Sequence, residues 1–290
     1  MDKIITRETI NRLLKDVRML MKNPLNDQGI YYVHDDTDIL QGYAMIIGPS
    51  DTPYFGGYYL FKINYPYDYP LNPPKLLYCT NENKVRFHPN LYVCGKVCLS
   101  ILNTWSGEQW TSCQTISSVL LTLLTIFTEN PLLNEPGVNK NHEDIENYNH
   151  IITYSNLNSA ICSLLMKKES IYFPFFDLFY DVMKENYIKN FNKLNEIAIL
   201  QNEYFIKLYQ DVFENTPETI RVNNKGILTK GKSKKTEVTN SIPNLSKLKI
   251  DFIIEDDKII PIIYTNMYGM CIKIDYSQLI YKLNEVYSLF

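Results

Sequence analysis

The amino-terminal region carries apolar residues at the spacing of a helix. Between Thr9 and Pro24 they recur every three or four positions, at Ile10, Leu13, Leu14, Val17, Leu20 and Met21. This period predicts an amphipathic helix that buries one stripe of side chains. The positions between them include the basic residues Arg12, Lys15, Arg18 and Lys22. Because a charged outer face is ordinary for a surface helix, these charges alone do not indicate a partner.

Four short segments rich in Tyr, Ile, Val and Phe come next, separated by Asp, Gly and Pro. They are GIYYVH, GYAMIIGP, GYYLFKINY and PKLLYCT. Strand-forming residues bounded by turn residues, four times in close succession, predict a four-stranded antiparallel meander. Residues 81–113 have no sustained period, which predicts a long ordered loop region of the kind that often carries function.

The rest of the chain returns to a helical pattern and then changes character. A second helix is predicted from Thr115 to Thr128, and helical sequence resumes from about residue 144 to 214. Between Arg221 and Lys249, eight basic residues accompany a single Glu, which indicates a flexible basic linker. Two or three strands and a closing helix should follow. The predicted fold class is therefore α+β, divided into a core at 1–155, a helical extension at 156–220, a linker at 221–246 and a small element at 247–290 that docks on the body.

Composition narrows the class of protein. The chain has 290 residues, 29 Lys and Arg against 32 Asp and Glu, 45% hydrophobic residues and a net charge of −3. These values exclude a wholly disordered or collagen-like chain, and no apolar run is long enough to span a bilayer. The charged amino terminus argues against a secretory signal, so we expect a cytoplasmic protein without membrane attachment. A nuclear signal at Lys230–Lys235 is the alternative to a solvated linker.

The chain has six cysteines, and we expect all of them to be free thiols. A chain of this length in a reducing compartment needs no disulfide staples. No CxxC pair occurs, so no metal site is expected. One cysteine stands out: Cys98 lies in the segment GKVCLSIL, eight residues after the Asn of the turn His88-Pro89-Asn90. A thiol there could act as a nucleophile or could simply be a small buried side chain, and the residues alone leave both interpretations open.

Several motifs in order strongly resemble the ubiquitin-conjugating enzymes. They run along residues 4 to about 155: the basic amphipathic helix, GPSDTPYFGGYYLFKINYPYDYPLNPPKL, the His-Pro-Asn turn, GKVCLSIL and Trp110. TWSGEQW, QTISSVL and TENPLLNEPG are most similar to the Z type of this family, which carries a long carboxy-terminal extension. IDYSQLIYKL, near the end of the chain, also resembles that extension.

The resemblance implies a role for each matching residue. Cys98 would receive the carboxy-terminal glycine of ubiquitin, or of a ubiquitin-like modifier, as a thioester and pass it to a substrate lysine. Asn90 would support the oxyanion or brace the loop, and His88 and Pro89 would be structural. Tyr92 and Glu135 would line the approach of the lysine, although many relatives have Asp at the latter position. No cofactor is implied, because ATP is used by the activating enzyme.

The resemblance also implies partners. Arg12, Lys15 and Arg18 would bind the activating enzyme, by steering an acidic groove towards the helix. A ubiquitin ligase would dock at Leu71, Ser112 and Cys113. There Leu71 replaces a frequent Phe, and Ser112-Cys113 stand where Pro-Ala is common in relatives that bind RING ligases. Nucleic acid is not expected, because the chain is net acidic and lacks the aromatic and basic pattern of a known reader.

The sequence leaves two rival functions open, and it does not assign a role to one further cysteine. The first rival is a non-catalytic ubiquitin-binding or scaffold variant of the same fold. The second is a cysteine protease with a Cys98–His88 dyad, which no orienting third residue supports. Cys94, four residues before Cys98, is a bystander, an oxidation partner or an alternative acceptor.

Overall fold

The computed structural model describes residues 5–81, 85–166, 176–211, 220–222, 227–230, 248–256 and 258–290. The first helix, α1, spans Arg7–Lys22. It begins where the Thr6 hydroxyl accepts the backbone N–H of Thr9 at 3.1 Å, which satisfies one of the free donors of the first turn. The predicted apolar stripe is buried at Leu13, Val17 and Leu20. Ile10 and Leu14 are half-buried, and Met21 is 71% exposed.

The predicted meander is confirmed. Its strands are β1 at Ile30–His34, β2 at Gln41–Ile47, β3 at Tyr58–Asn64 and β4 at Lys75–Tyr78. They pair in the order β1-β2-β3-β4, and each pair is antiparallel. β3 is central and almost completely buried, as expected for a strand that is covered on both faces.

Helices cover the sheet. α2 spans Ile116–Leu124, shorter than predicted, and begins with a capping box between Thr115 and Ser118. α3 spans Ile145–Ser155 and continues without a break into a π-helix at Asn156–Ser163. The predicted domain boundary at 155 therefore falls inside one helical segment. The long helix α4 follows at Tyr180–Tyr209.

The carboxy-terminal part contains a second antiparallel sheet, and part of it corrects the predicted linker. Its strands, in order, are β5 at Ile220–Val222, β6 at Ile227–Lys230, β7 at Ile250–Glu255, β8 at Lys258–Tyr264 and β9 at Cys271–Lys273. β5 and β6 lie where a flexible linker was expected. In the sequence of these two strands β-branched residues occupy alternate positions, at Ile220, Val222, Ile227 and Thr229, which suits a strand. The rest of the predicted linker lies outside the described residues.

The closing helix of the carboxy-terminal element, α5 at Tyr276–Ser288, packs on the helical extension. The Tyr187 hydroxyl of α4 donates to the Leu283 carbonyl at 2.6 Å, and Lys282 donates to the side-chain oxygen of Asn158 at 2.8 Å. The buried apolar side chains of the core and of this element form one continuous cluster. Within the part of the chain that the structure describes, no helix is both long and apolar enough to cross a bilayer.

Candidate active site

A small hairpin after β4 places Cys98. Isolated bridges pair His88 with Leu91 and Leu91 with Val97. The hairpin turns at Gly95, whose φ of +88° lies in the left-handed region. A Cβ atom at this glycine would come within 3.0 Å of the Tyr78 carbonyl oxygen, and together with the positive φ this crowding favours glycine. The hairpin turn brings Cys98 back beside the His-Pro-Asn turn, although Cys98 follows Asn90 by eight positions along the chain.

Two hydrogen bonds fix Cys98 to Asn90. The Cys98 backbone N–H donates to the Asn90 carbonyl at 2.9 Å. In the reverse direction, the Asn90 Nδ2 donates to the Cys98 carbonyl at 2.6 Å. One N–H of the amide is used by this bond, and the buried Oδ1 has no hydrogen-bond partner among the described residues. In this geometry Asn90 braces the backbone at the thiol and keeps a second N–H for another acceptor.

His88 holds the turn as a neutral imidazole. Its Nδ1 accepts the backbone N–H of Asn90 at 3.0 Å, and the Asn134 amide lies 3.3 Å from Nε2. Burial lowers the pKa of His88 to about 3, against a hydrogen bond to the Ile126 backbone that acts in the opposite direction. An acceptor at Nδ1 puts the proton on Nε2, which donates to the Ile126 backbone; the Asn134 Nδ2 atom is itself a donor and does not accept this proton. Both ring nitrogens are thus engaged in holding the turn, which supports the structural role predicted for His88.

Cys98 is 2% exposed, whereas Cys94 is on the surface. The approach to the predicted nucleophile is therefore confined to a small opening. All six cysteines lie within the described residues and are free. Burial raises the pKa of Cys79 to about 11 and that of Cys162 to about 12, so these two thiols are unreactive at neutral pH.

A second cluster borders the turn and includes both residues predicted at the lysine approach. The Arg86 guanidinium donates from Nε to the His88 carbonyl at 3.1 Å and from a terminal nitrogen to the Pro89 carbonyl at 2.5 Å. The same cation lies over the ring of Tyr92, with Cζ 3.5 Å from the centroid. Glu135 accepts a hydrogen bond from the hydroxyl of Tyr268, whose ring lies on Arg86 as well.

Comparison with known proteins assigns the family. The model of the family described as "Ubiquitin-conjugating enzyme" matches residues 12–167, more than half of the chain. The chain belongs to the ubiquitin-conjugating enzyme family. Ubiquitin-conjugating enzyme E2 Z of Danio rerio is 39% identical over 194 residues, which make up 62% of this chain and 58% of that protein. The E2 Z of Homo sapiens is 43% identical over 160 residues, or 54% of this chain and 45% of that protein.

These matches confirm the resemblance to the Z type. Membership of the family supports a transferase role for the chain. The chain spans about half the length of the curated relatives it matches. The solved structure of human ubiquitin-conjugating enzyme E2 G1 aligns with a TM-score of 0.37 at 31% identity, over 43% of this chain and 97% of that one. Members of the family act with ubiquitin, an activating enzyme and ligases.

On the first helix, the predicted activating-enzyme residues differ in their surroundings. Lys15 and Arg18 are exposed. Arg12 is instead bound within the chain: its Nε is 2.8 Å from the buried Asp16 carboxylate, and its terminal nitrogens donate to the carbonyls of Ser112 and Gln114 at 2.6 and 2.7 Å. The guanidinium therefore ties α1 to the loop before α2. Of the three predicted cations, only Lys15 and Arg18 present charge freely to a partner.

The predicted ligase-binding residues lie on neighbouring exposed loops. Leu71 is 73% exposed, and Ser112 and Cys113 are also on the surface. The Trp110 indole N–H donates to the Pro70 carbonyl at 2.8 Å, which joins the two loops. The chain thus presents an apolar side chain next to polar loop atoms at this end of the sheet.

Sequence reasoning missed two residues of the site. Arg86 connects the His-Pro-Asn turn to the cluster around Glu135, and its only sequence signal was a cation two positions before the turn. Tyr268 lies 133 residues after its partner Glu135, in the carboxy-terminal element. No spacing pattern could have indicated that contact, because it depends on how the element docks on the core.

Proposed function

We propose that this chain accepts ubiquitin, or a ubiquitin-like modifier, from an activating enzyme as a thioester on the Sγ atom of Cys98, and then transfers it to a substrate lysine. The observation that carries the proposal is the reciprocal pair of hydrogen bonds between Cys98 and Asn90. Such an arrangement holds a nucleophile and a side-chain amide in one fixed geometry, which is the general requirement of covalent catalysis.

The reaction consists of two acyl transfers. In the first, the Cys98 thiolate attacks the carbonyl carbon of the activating enzyme's thioester, a new C–S bond forms and the other thiolate leaves. In the second, a lysine amine attacks the same carbonyl carbon, an amide C–N bond forms and the Cys98 thiolate leaves. The amine gives up its proton, for which Glu135 is the proposed acceptor. The energy of ATP enters earlier, at the activating enzyme, so these steps need no cofactor.

Asn90 is proposed to serve both transfers. Each passes through a tetrahedral intermediate with a negatively charged oxygen, which nearby N–H donors stabilise. The second N–H of the Asn90 amide is the proposed donor to this oxygen, while the first keeps the Cys98 backbone in place. Tyr92, held over the Arg86 cation, is proposed to form the wall along which the lysine side chain approaches.

We infer that partners bind at separate surfaces. The exposed cations Lys15 and Arg18 support docking of an activating enzyme at α1, where charge mainly raises the association rate. The exposed Leu71 loop and the Ser112-Cys113 loop support docking of a ligase through apolar contact. A location in the cytoplasm or nucleus stays a prediction.

A thioester assay tests the proposal. The chain is incubated with ATP, ubiquitin and each of a panel of activating enzymes, and the products are separated with and without reductant. We expect a reductant-sensitive adduct with the wild type and with Cys94→Ala, and none with Cys98→Ala. An adduct that persists in Cys98→Ala contradicts the proposal. A folded wild-type chain that forms no adduct with any enzyme or modifier would instead indicate a non-catalytic binding protein.

A further inference from the structure

The turn between β8 and β9 brings a tyrosine of the carboxy-terminal element to the rim of the candidate active site. The Tyr268 hydroxyl contacts the Glu135 carboxylate. Burial, followed by the nearby Glu135 carboxylate, raises the pKa of Tyr268 well above that of an ordinary tyrosine. The phenol therefore stays protonated at neutral pH, and it is the donor in this hydrogen bond.

The backbone at Tyr268 is in a conformation that tyrosine seldom adopts. Its φ is 62° and its ψ is 2°, in the left-handed region where Gly and Asn are usual. A tyrosine at such a position costs energy that a glycine would avoid. The side chain must then supply something that a smaller residue cannot. It contacts the Glu135 carboxylate, the Arg86 guanidinium and the ring of Tyr148.

The core holds this turn firmly. The backbone N–H of Met267 donates to the buried Asp144 carboxylate at 2.7 Å. The neighbouring Asn266 amide donates to Glu143 at 2.8 Å, and the Thr265 hydroxyl closes the turn by donating to the Met267 carbonyl at 2.7 Å. Because Asp144 is at the start of α3, the position of Tyr268 is set by a rigid element of the core.

Arg86 connects Tyr268 to the turn that carries Asn90. Its Cζ lies 4.9 Å from the centroid of the Tyr268 ring and 3.5 Å from that of Tyr92. The same guanidinium donates to the carbonyls of His88 and Pro89. The tyrosine ring and hydroxyl thus make separate contacts: the ring lies on a cation bound to the turn, and the hydroxyl holds a carboxylate beside it.

We propose that Tyr268 is a positioning residue for transfer to lysine, and that its hydroxyl fixes the Glu135 carboxylate in the orientation that receives the incoming amine. The inference rests on the function proposed above and adds to it a contribution from the carboxy-terminal element. A free glutamate side chain samples several rotamers, and restricting it places the carboxylate where the ammonium proton must go. Loading of Cys98 involves no amine, so it does not depend on this contact.

The test separates loading from discharge in the full chain. Tyr268→Phe removes only the hydroxyl and keeps the ring on Arg86. Wild type and variant are first charged with ubiquitin, the activating enzyme is then stopped, and loss of the thioester is followed over a range of free lysine concentrations. We expect equal loading rates and a discharge rate at saturating lysine about fivefold lower in the variant, as for loss of one hydrogen bond. Tyr281→Phe, at a tyrosine that is 71% exposed in the same element, should behave as wild type.

A double-mutant cycle distinguishes positioning from a general structural effect. In the Glu135→Ala background the Tyr268→Phe substitution should have no further effect on discharge, because the carboxylate it orients is gone. An equal slowing in both backgrounds, an unchanged rate in Tyr268→Phe, or a faster rate caused by release of a blocked carboxylate would each overturn the inference. A wild-type chain that is not charged at all would instead contradict the proposed function.

Discussion

Asp144 should contribute more than an ordinary surface carboxylate to the stability of the fold. The residue is fully buried at the N-cap of α3, yet its side chain does not cap its own helix. One oxygen accepts the Met267 backbone N–H at 2.7 Å, and the other accepts from the Lys249 ammonium at 3.1 Å. The carboxylate therefore joins the core to two separate places in the carboxy-terminal element.

The cost of Asp144→Ala follows from these contacts. The partly buried Met267 N–H loses its acceptor, which costs about 1–3 kcal/mol. Lys249 keeps Glu143, 2.7 Å away, and is 28% exposed, so the lost ion pair adds only about 0.2–1 kcal/mol. Relief of the repulsion between the two neighbouring carboxylates offsets part of this loss. We expect the free energy of unfolding to fall by about 2–3 kcal/mol.

Urea unfolding followed by circular dichroism measures this change. Asp144→Asn, which keeps an oxygen acceptor, should lose clearly less than Asp144→Ala. Asp36→Ala, at an exposed carboxylate, should stay within about 0.5 kcal/mol of the wild type. If Asp144→Ala also stays within that limit, the contact with Met267 does not stabilise the fold and the reasoning is refuted.

Three further changes test the site and its surroundings. Asn90→Asp sets a carboxylate oxygen against the Cys98 carbonyl and should lower the free energy of unfolding by about 2 kcal/mol; an unchanged urea midpoint would contradict the bracing role. The pKa of His88 is about 3 in the folded chain, whereas its ordinary value is 6.5. Below pH 6.5 the unfolded chain therefore binds a proton at this histidine that the folded chain does not bind. The free energy of unfolding should decrease from there towards pH 3 by up to about 1.4 kcal/mol per pH unit. Urea titrations at several pH values check this, and a constant value across the range argues against a neutral buried imidazole. Arg12→Ala should cost about 2 kcal/mol because the buried Asp16 carboxylate loses its cation and keeps the Tyr69 hydroxyl as a donor, whereas Lys15→Ala should cost less than about 0.5 kcal/mol; equal stability of the two variants would oppose the internal role of the guanidinium.

Much of the core fold was predictable because its elements follow simple local rules. The helical period of α1 and the short β-rich segments separated by turn residues lead directly to the observed helix and meander. The predicted linker shows where local rules fail: its basic composition indicates a solvated segment, but β6 pairs with β7 and β5 pairs with β6. Long-range pairing of this kind leaves only a weak trace in composition.

In the candidate site, too, residues that lie in a local motif are predictable and residues that depend on long-range contacts are not. Asn90 and Cys98 were identifiable because both lie in a short motif, and the hairpin at Gly95 converts that spacing into direct contact. Arg12 was predicted from its place on a charged helix face, but its carbonyl acceptors lie about 100 residues away. Tyr268 could not be found at all from the sequence, since its role depends on the docking of a second sheet on the core.

The most direct test of the central claim identifies the atom that carries the modifier. In Cys98→Ser, a hydroxyl replaces the thiol, so transfer from the activating enzyme should produce an oxygen ester that survives reductant and is cleaved by dilute hydroxide. Mass spectrometry of the digested adduct should then locate the carboxy-terminal glycine of ubiquitin on residue 98. A reductant-resistant adduct at that residue is the predicted result. A modifier found on Cys94 or on a lysine, with residue 98 unmodified, would contradict the assignment of Cys98 as the thioester carrier.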